Sequence, residues 1–266
     1  MLHDITLGQY YPVQSIIHKL DPRVKLSGTV LFLISLFINN NFMGLGVAVV
    51  ALALTIGASK VPFKFFMRGM KAIVFLLLIS VIFNLLFTAG TPVFEWGRIT
   101  ITEEGIYNAV FLFFRLSLLV VGSSLMTYTT TPSQLTDGME RGMRFLKVVK
   151  VPVHEIAMMM SIALRFIPIL VDETDKIMKA QTARGADFEN GNLIKRIKSL
   201  VPLLVPLFVS AFRRANDLAM AMEARCYRGG DHRTKMKPLK YKRADAVAYI
   251  CILAYLSIIC AIRINL

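Results

Sequence analysis

The sequence predicts an all-α polytopic membrane protein with about five transmembrane helices and a cytoplasmic platform of three long helices. Three observations carry that prediction. Hydrophobic residues fill 55% of 266 positions, mean hydropathy is +0.58 and only 18% of residues are charged, more apolar side chain than a soluble domain of this size needs. The apolar residues fall into separate runs near the length that crosses a hydrocarbon layer of about 30 Å. The cations crowd some connections and avoid others, an asymmetry that marks the cytoplasmic side.

Residues 1–23 read as a cytoplasmic lead-in, and their polar and aromatic start does not resemble the apolar core of a cleavable signal. Asp21-Pro22 opens the first helix, with aspartate as the cap and proline at the first helical position, where its missing N–H costs nothing. The apolar run from Leu26 to Ile38 is short for a span, so it is expected to borrow a turn before Lys25, whose ammonium would snorkel to the interface. Asn39-Asn40-Asn41 turns the chain and Phe42 to Ala58 returns it. Ala72 to Ala89, Ile106 to Thr127 and Ala244 to Ile262 supply the remaining spans.

Lys60, Lys64, Arg68 and Lys71 occupy the second connection. The first connection has no cation, and the third has only Arg98 beside Glu95, Glu103 and Glu104. By the positive-inside rule the amino terminus is cytoplasmic and the carboxyl terminus outside. Three regions follow: 1–128 with four spans, 129–243 in the cytoplasm, and 244–266 with the last span.

The segment from Thr129 to Arg243 is too long and too patterned for a loop. Thr131-Pro132-Ser133 opens an amphipathic helix to about Lys147, Pro152 opens a second helix, and Asn190-Gly191-Asn192 precedes a third. Two apolar stretches here, Ile156 to Val171 and Leu200 to Phe212, are short for crossings. Arg165 and Pro168 interrupt the first, and the second holds Pro202 and Pro206, which favours buried or interfacial helices.

This segment holds 21 Lys and Arg against 11 Asp and Glu. Positive-inside bias and attraction to anionic membrane lipid account for most of the net charge of +14, so the basic balance does not indicate nucleic acid. The seven cations from Arg228 to Arg243 read as a juxtamembrane anchor. The three cysteines form neither a disulfide framework nor a metal cluster, and the four histidines are scattered.

The cytoplasmic region is organised around two tripeptides, Ala183-Arg184-Gly185 and Ala224-Arg225-Cys226, each closing a helix-forming run rich in Ala and Met. One such arginine is explained by the negative end of a helix dipole. Two of them, 41 residues apart, offer a pair of guanidinium forks from one unit, which suits a partner that reads both. The methionines Met158, Met159, Met160, Met178, Met220 and Met222 are assigned first to core packing, with an adaptable binding surface as the alternative. Arg115, inside the fourth span, reads as a hydrogen-bonded tie between helices, because no intramembrane acid recommends itself as a partner.

No phosphate loop, nucleophile elbow or His-Glu-x-x-His motif is present. Asp172-Glu173-Thr174-Asp175 is the one stretch suited to chemistry. Carboxylates three apart share a helical face and could hold magnesium on a diphosphate, as in membrane prenyltransferases. Lys176 and Lys179 follow Asp172 and Asp175 at i,i+4, so a salt-bridged solvated face explains the same residues. A prenyltransferase-like enzyme and a membrane scaffold without a transport cycle therefore stand as alternatives.

Five stretches together resemble the transmembrane T component of energy-coupling factor (ECF) transporters, of the ATP-binding cassette (ABC) superfamily. They are Ser15 to Leu26 (SIIHKLDPRVKL), Tyr128 to Pro132 (YTTTP), Leu164 to Pro168 (LRFIP), Gln181 to Gly185 (QTARG) and Ala221 to Gly229 (AMEARCYRG). The resemblance implies a non-catalytic subunit of a vitamin or metal-ion importer. Two ABC-type ATPases would bind the ATP, a membrane S component would bind the substrate, and the three long cytoplasmic helices would be coupling helices. It also implies that Ala183, Arg184, Gly185, Ala224, Arg225 and Cys226 dock into grooves of the ATPases, with no cofactor or metal of the chain's own. Cys226 stands where the family commonly has glycine.

Overall fold

A computed structural model of the chain describes residues 9–96, 99–186, 188, 193–230 and 239–265. The chain divides into two compact units, Gly8–Arg141 with Leu239–Leu266, and Gly142–Pro238 with Met1–Leu7. The first holds α1 (Pro22–Ile38), α2 (Phe42–Ser59), α3 (Phe63–Phe87), β1 (Pro92–Trp96), β2 (Ile99–Thr102), α4 (Glu103–Thr129), nearly all of α5 (Pro132–Gly142) and α8 (Arg243–Asn265). The second holds a 3-10 segment (Met143–Val149), α6 (Val153–Ala183) and α7 (Leu193–Ala224).

In the first unit α1 starts as its sequence requires, with Pro22 at the first position and the Asp21 carboxylate accepting from the Arg23 N–H at 3.0 Å. Its core joins four helices. Leu36 of α1, Leu45, Ala48 and Leu52 of α2, Phe66 of α3, and Phe111, Leu118 and Tyr128 of α4 are buried in one cluster, with Tyr128 set edge-on to Phe66 at 5.3 Å. Small residues let the backbones approach: a Cβ on Gly122 would meet the Phe32 ring at 2.7 Å, and one on Gly28 would meet Ile252 at 2.9 Å.

Contacts fix the helix directions. The Lys25 ammonium donates to the Thr129 carbonyl at 2.8 Å and Arg115 reaches the Asn39 carbonyl, so α1 and α4 are antiparallel. Phe42 packs on Tyr107 and Phe111, at the outset of both α2 and α4, so these two run together. The starts of α1 and α8 meet where Asp245 accepts the Asp21 N–H, and Ser35 meets Tyr255 further along, so α8 is parallel to α1. The chain thus leaves α4 and enters α8 at the same end of the bundle.

By length and composition, α2, α4, α6 and α8 each suffice for a crossing, as does α3 taken as one span bent by 60°. Helix α6, whose apolar stretch looks short for a crossing in the sequence, is thus long and apolar enough by this measure, whereas α7 is not among the helices that suffice. That makes four to five candidate spans, as expected of an all-α polytopic membrane protein. The 17-residue α1 is slightly short for a crossing.

Several expectations are corrected. Lys25 does not snorkel: it is 8% exposed, and its ammonium donates to the carbonyls of His18 and Thr129, which end other segments and have acceptors to spare. Helix α3 starts at Phe63, not Ala72, because the basic second connection is itself helical. The amphipathic helix after Thr131 ends at Gly142 and continues as the 3-10 segment. The third connection contains an antiparallel β-hairpin that pairs Trp96 with Ile99 and Glu95 with Thr100, and Thr102 caps α4 by accepting from the Gly105 N–H. The Asn190-Gly191-Asn192 turn, Arg98 and residues 231–238 of the basic anchor lie outside the described residues.

Candidate partner-binding site

Helices α6 and α7 pack antiparallel. Glu173 of α6 accepts hydrogen bonds from Ser210 (2.6 Å) and Arg214 (3.1 and 2.5 Å) of α7, and further along Gln181 donates to the Pro202 carbonyl. As α6 advances, its partners on α7 therefore recede. Arg184 lies 11 residues beyond Glu173 and Arg225 lies 11 beyond Arg214, so at 1.5 Å per residue the arginines stand up to roughly 35 Å apart, at opposite ends of the pair. The fold does not bring the two tripeptides together. It sets them at opposite ends of one helix pair.

Each tripeptide closes its helix in the same way. At the end of α6 the Gly185 N–H bonds the Thr182 carbonyl at 2.9 Å and the Ala186 N–H bonds the Gln181 carbonyl at 3.0 Å. At the end of α7 the Cys226 N–H bonds Glu223 at 2.8 Å and the Tyr227 N–H bonds Met222 at 3.0 Å. Both patterns are the Schellman closure, which needs a left-handed residue after the cap. Gly185 supplies it at φ +90° and Cys226 at φ +55°. Cys226 therefore keeps the second closure equivalent to the first, at the cost of a side chain where glycine would be unstrained.

All six residues, Ala183, Arg184, Gly185, Ala224, Arg225 and Cys226, are exposed. Among the described residues neither Arg184 nor Arg225 has a side-chain hydrogen bond or ion pair. A guanidinium is a planar fork of five donors that matches a carboxylate bidentately, and here two such forks face outward from helix ends whose carbonyls are already satisfied.

The acidic stretch has a different role from either expectation. No ion pair joins Asp172 to Lys176 or Asp175 to Lys179 among the described residues. The carboxylate between them, Glu173, forms the bond to α7, and with Ser210 and Arg214 it fixes where the helices cross. Sequence reasoning missed this clamp because a link between helices has no short-range spacing to reveal it. Arg115 does tie helices: its guanidinium donates to the Asn39 carbonyl (2.5 Å) and Asn40 Oδ1 (3.2 Å) and lies over the Phe111 ring. Of the six methionines, Met159, Met160 and Met220 are exposed and depart from core packing, while Met158, Met178 and Met222 are half-buried.

The sequence comparisons agree with this architecture. The CbiQ family, described as cobalt transport protein, matches residues 13–236. The chain is 53% identical over 260 residues to the energy-coupling factor transporter transmembrane protein EcfT of Clostridium kluyveri, covering 97% of this chain and 96% of the relative. It is 52% identical over 247 residues to that of Ruminiclostridium cellulolyticum (93% and 92% covered), and 46% identical over 253 residues to that of Lactococcus lactis (95% of each). With a polytopic helical fold and full-length similarity of this order, the chain belongs to the CbiQ/EcfT family of energy-coupling factor transporter transmembrane proteins.

Proposed function

We propose that this chain is the coupling subunit of an ATP-driven vitamin or metal-ion importer, linking two cytoplasmic ATPases to a substrate-binding membrane S component. The observation that carries the reading is the duplicated helix end: two equivalent Schellman closures, each presenting an exposed arginine, at opposite ends of a clamped helix pair. Two like contacts suit two like partners. The clamp makes α6 and α7 move as one body, so closure of the ATPases on ATP is felt as a displacement of the pair. The exposed apolar residues Val201, Val205, Phe208 and Phe212 of α7 offer the S component a surface on the same pair. In this reading the chain is non-catalytic, binds no cofactor of its own, and leaves ATP to its partners. In this reading the amino terminus and residues 129–243 face the cytoplasm and the carboxyl terminus faces outward, an orientation that the cation distribution supports.

Affinity purification of the chain from its native membrane tests this reading. Two ATPase copies and one small membrane protein per chain are expected, with ATPase activity in the assembly. Recovery of the chain alone would favour a scaffold, and magnesium-dependent diphosphate turnover by the isolated chain would favour a prenyltransferase-like enzyme.

A further inference from the structure

We propose that the first nine residues of α3, Phe63–Lys71, form an interfacial helix that binds the headgroup of an anionic phospholipid. This segment is bent by 60° from the remainder of α3, Ile73–Phe87, so it is set apart from it in direction. One face is anchored: Phe66 is buried against Tyr128, whose hydroxyl donates to the Phe65 carbonyl at 3.1 Å, and Tyr11 packs on the Phe65 ring at 4.9 Å.

The opposite face is cationic along its centre and apolar along one edge. At 100° per residue, Lys64, Arg68 and Lys71 fall within an arc of about 60°, and Phe63 and Met67 lie beside it. Phe63 is 62% exposed and Met67 48%, the three cations are exposed, and Lys60, at the left-handed cap of α2, adds a fourth. No Asp or Glu occurs between residues 22 and 94, and among the described residues none of these cations has an ion pair. A free phosphate would match the cations but leave Phe63 and Met67 in water. A phospholipid satisfies both, with its phosphate on the basic arc and its glycerol and upper acyl chains against the apolar edge.

The test is native mass spectrometry of the full chain, released from micelles holding equal phosphatidylglycerol and phosphatidylcholine. The wild-type chain should retain phosphatidylglycerol at least tenfold over phosphatidylcholine. K64Q/R68Q/K71Q should lose most of that preference, at about fivefold per cation removed. R165Q/K176Q/K179Q, which removes three charges from α6, should keep it, and about 10 mM inorganic phosphate should not displace the lipid. If the triple variant fails to fold, K64Q/K71Q serves instead, with an expected drop of at least tenfold. Undiminished selectivity in the α3 variant, an equal loss in the α6 control, displacement by phosphate, or no preference in the wild type would each overturn the assignment.

Discussion

The carboxylate of Asp245 accepts the backbone N–H of Asp21 at 2.8 Å and, through its other oxygen, the N–H of Lys242 at 2.7 Å. It thereby satisfies the caps of α1 and α8 together, across 224 residues of sequence. Asp245 is 1% exposed, so its loss leaves the buried Asp21 N–H and the part-buried Lys242 N–H without acceptors. Asp245→Ala is expected to cost about 2–3 kcal/mol, and Asp245→Asn, which keeps one acceptor, clearly less. Thermal unfolding in detergent checks the order, and equal stability of both variants with the wild type would show that the caps do not hold the helices together.

His18 predicts a pH effect in the lead-in segment. Its Nε2 bonds the Tyr11 carbonyl (3.1 Å), so Nε2 carries the proton and Nδ1 accepts from the Ser15 hydroxyl (2.7 Å). Burial, helped by the nearby Lys25 charge, holds the His18 pKa below its ordinary value. The unfolded chain therefore binds the proton more readily, and stability is complete above the unfolded pKa of about 6.5 and falls as the pH drops toward the folded value. Wild-type Tm should fall between about pH 7.5 and pH 5.5 by more than that of His18→Gln. Identical slopes would remove His18 from the account.

Topology is tested by single cysteines in a background lacking Cys226, Cys251 and Cys260, which are all exposed. Cysteines replacing Asn40 and Trp96 should react with an impermeant reagent from outside, and one replacing Asp137 only after permeabilisation. External labelling at position 137 would invert the orientation and place α6 and α7 away from any ATPase.

The acidic stretch separates clamp from decoration. Asp172→Asn with Asp175→Asn should change stability by less than about 0.5 kcal/mol, as at ordinary surface positions, and leave ATPase activity of the assembly intact. Glu173→Ala should cost about 1 kcal/mol, discounted because Arg214 is 40% and Glu173 22% exposed, and should lower uptake more than ATP hydrolysis. A full loss of activity in the folded, assembled double aspartate variant would instead point to chemistry at those carboxylates.

Much of this fold was legible in residue order, because local signals set it. The Asp21-Pro22 cap, the asparagine turn and the apolar runs each act within one helical turn or one bilayer thickness. The Arg115 tie was legible too, since an unpaired intramembrane cation must find oxygen. What escaped were links between distant residues. Lys25 looked like an interfacial lysine because nothing nearby announces that the Thr129 carbonyl will end beside it. The hairpin at Pro92–Trp96 was hidden by its brevity, and the Glu173 clamp by the 41 residues to Arg214. The paired tripeptides were visible as a repeat, but their equivalence in hydrogen bonding was not, because Cys226 in place of glycine gives no hint that it adopts φ +55°.

The most direct test of the coupling account is a pull-down of both ATPases, with uptake measured in parallel, by chains carrying Arg184→Ala, Arg225→Ala or both. A charge-assisted hydrogen bond is worth about 1.5–3 kcal/mol, so each single variant should weaken assembly about tenfold or more and the double variant should lose both anchors. Lysine should rescue poorly, because it keeps the charge but not the planar fork. Each variant must first be shown to insert in the membrane. Loss of ATPase binding and uptake in the double alanine variant is the predicted result; wild-type assembly and uptake in that variant would contradict the account.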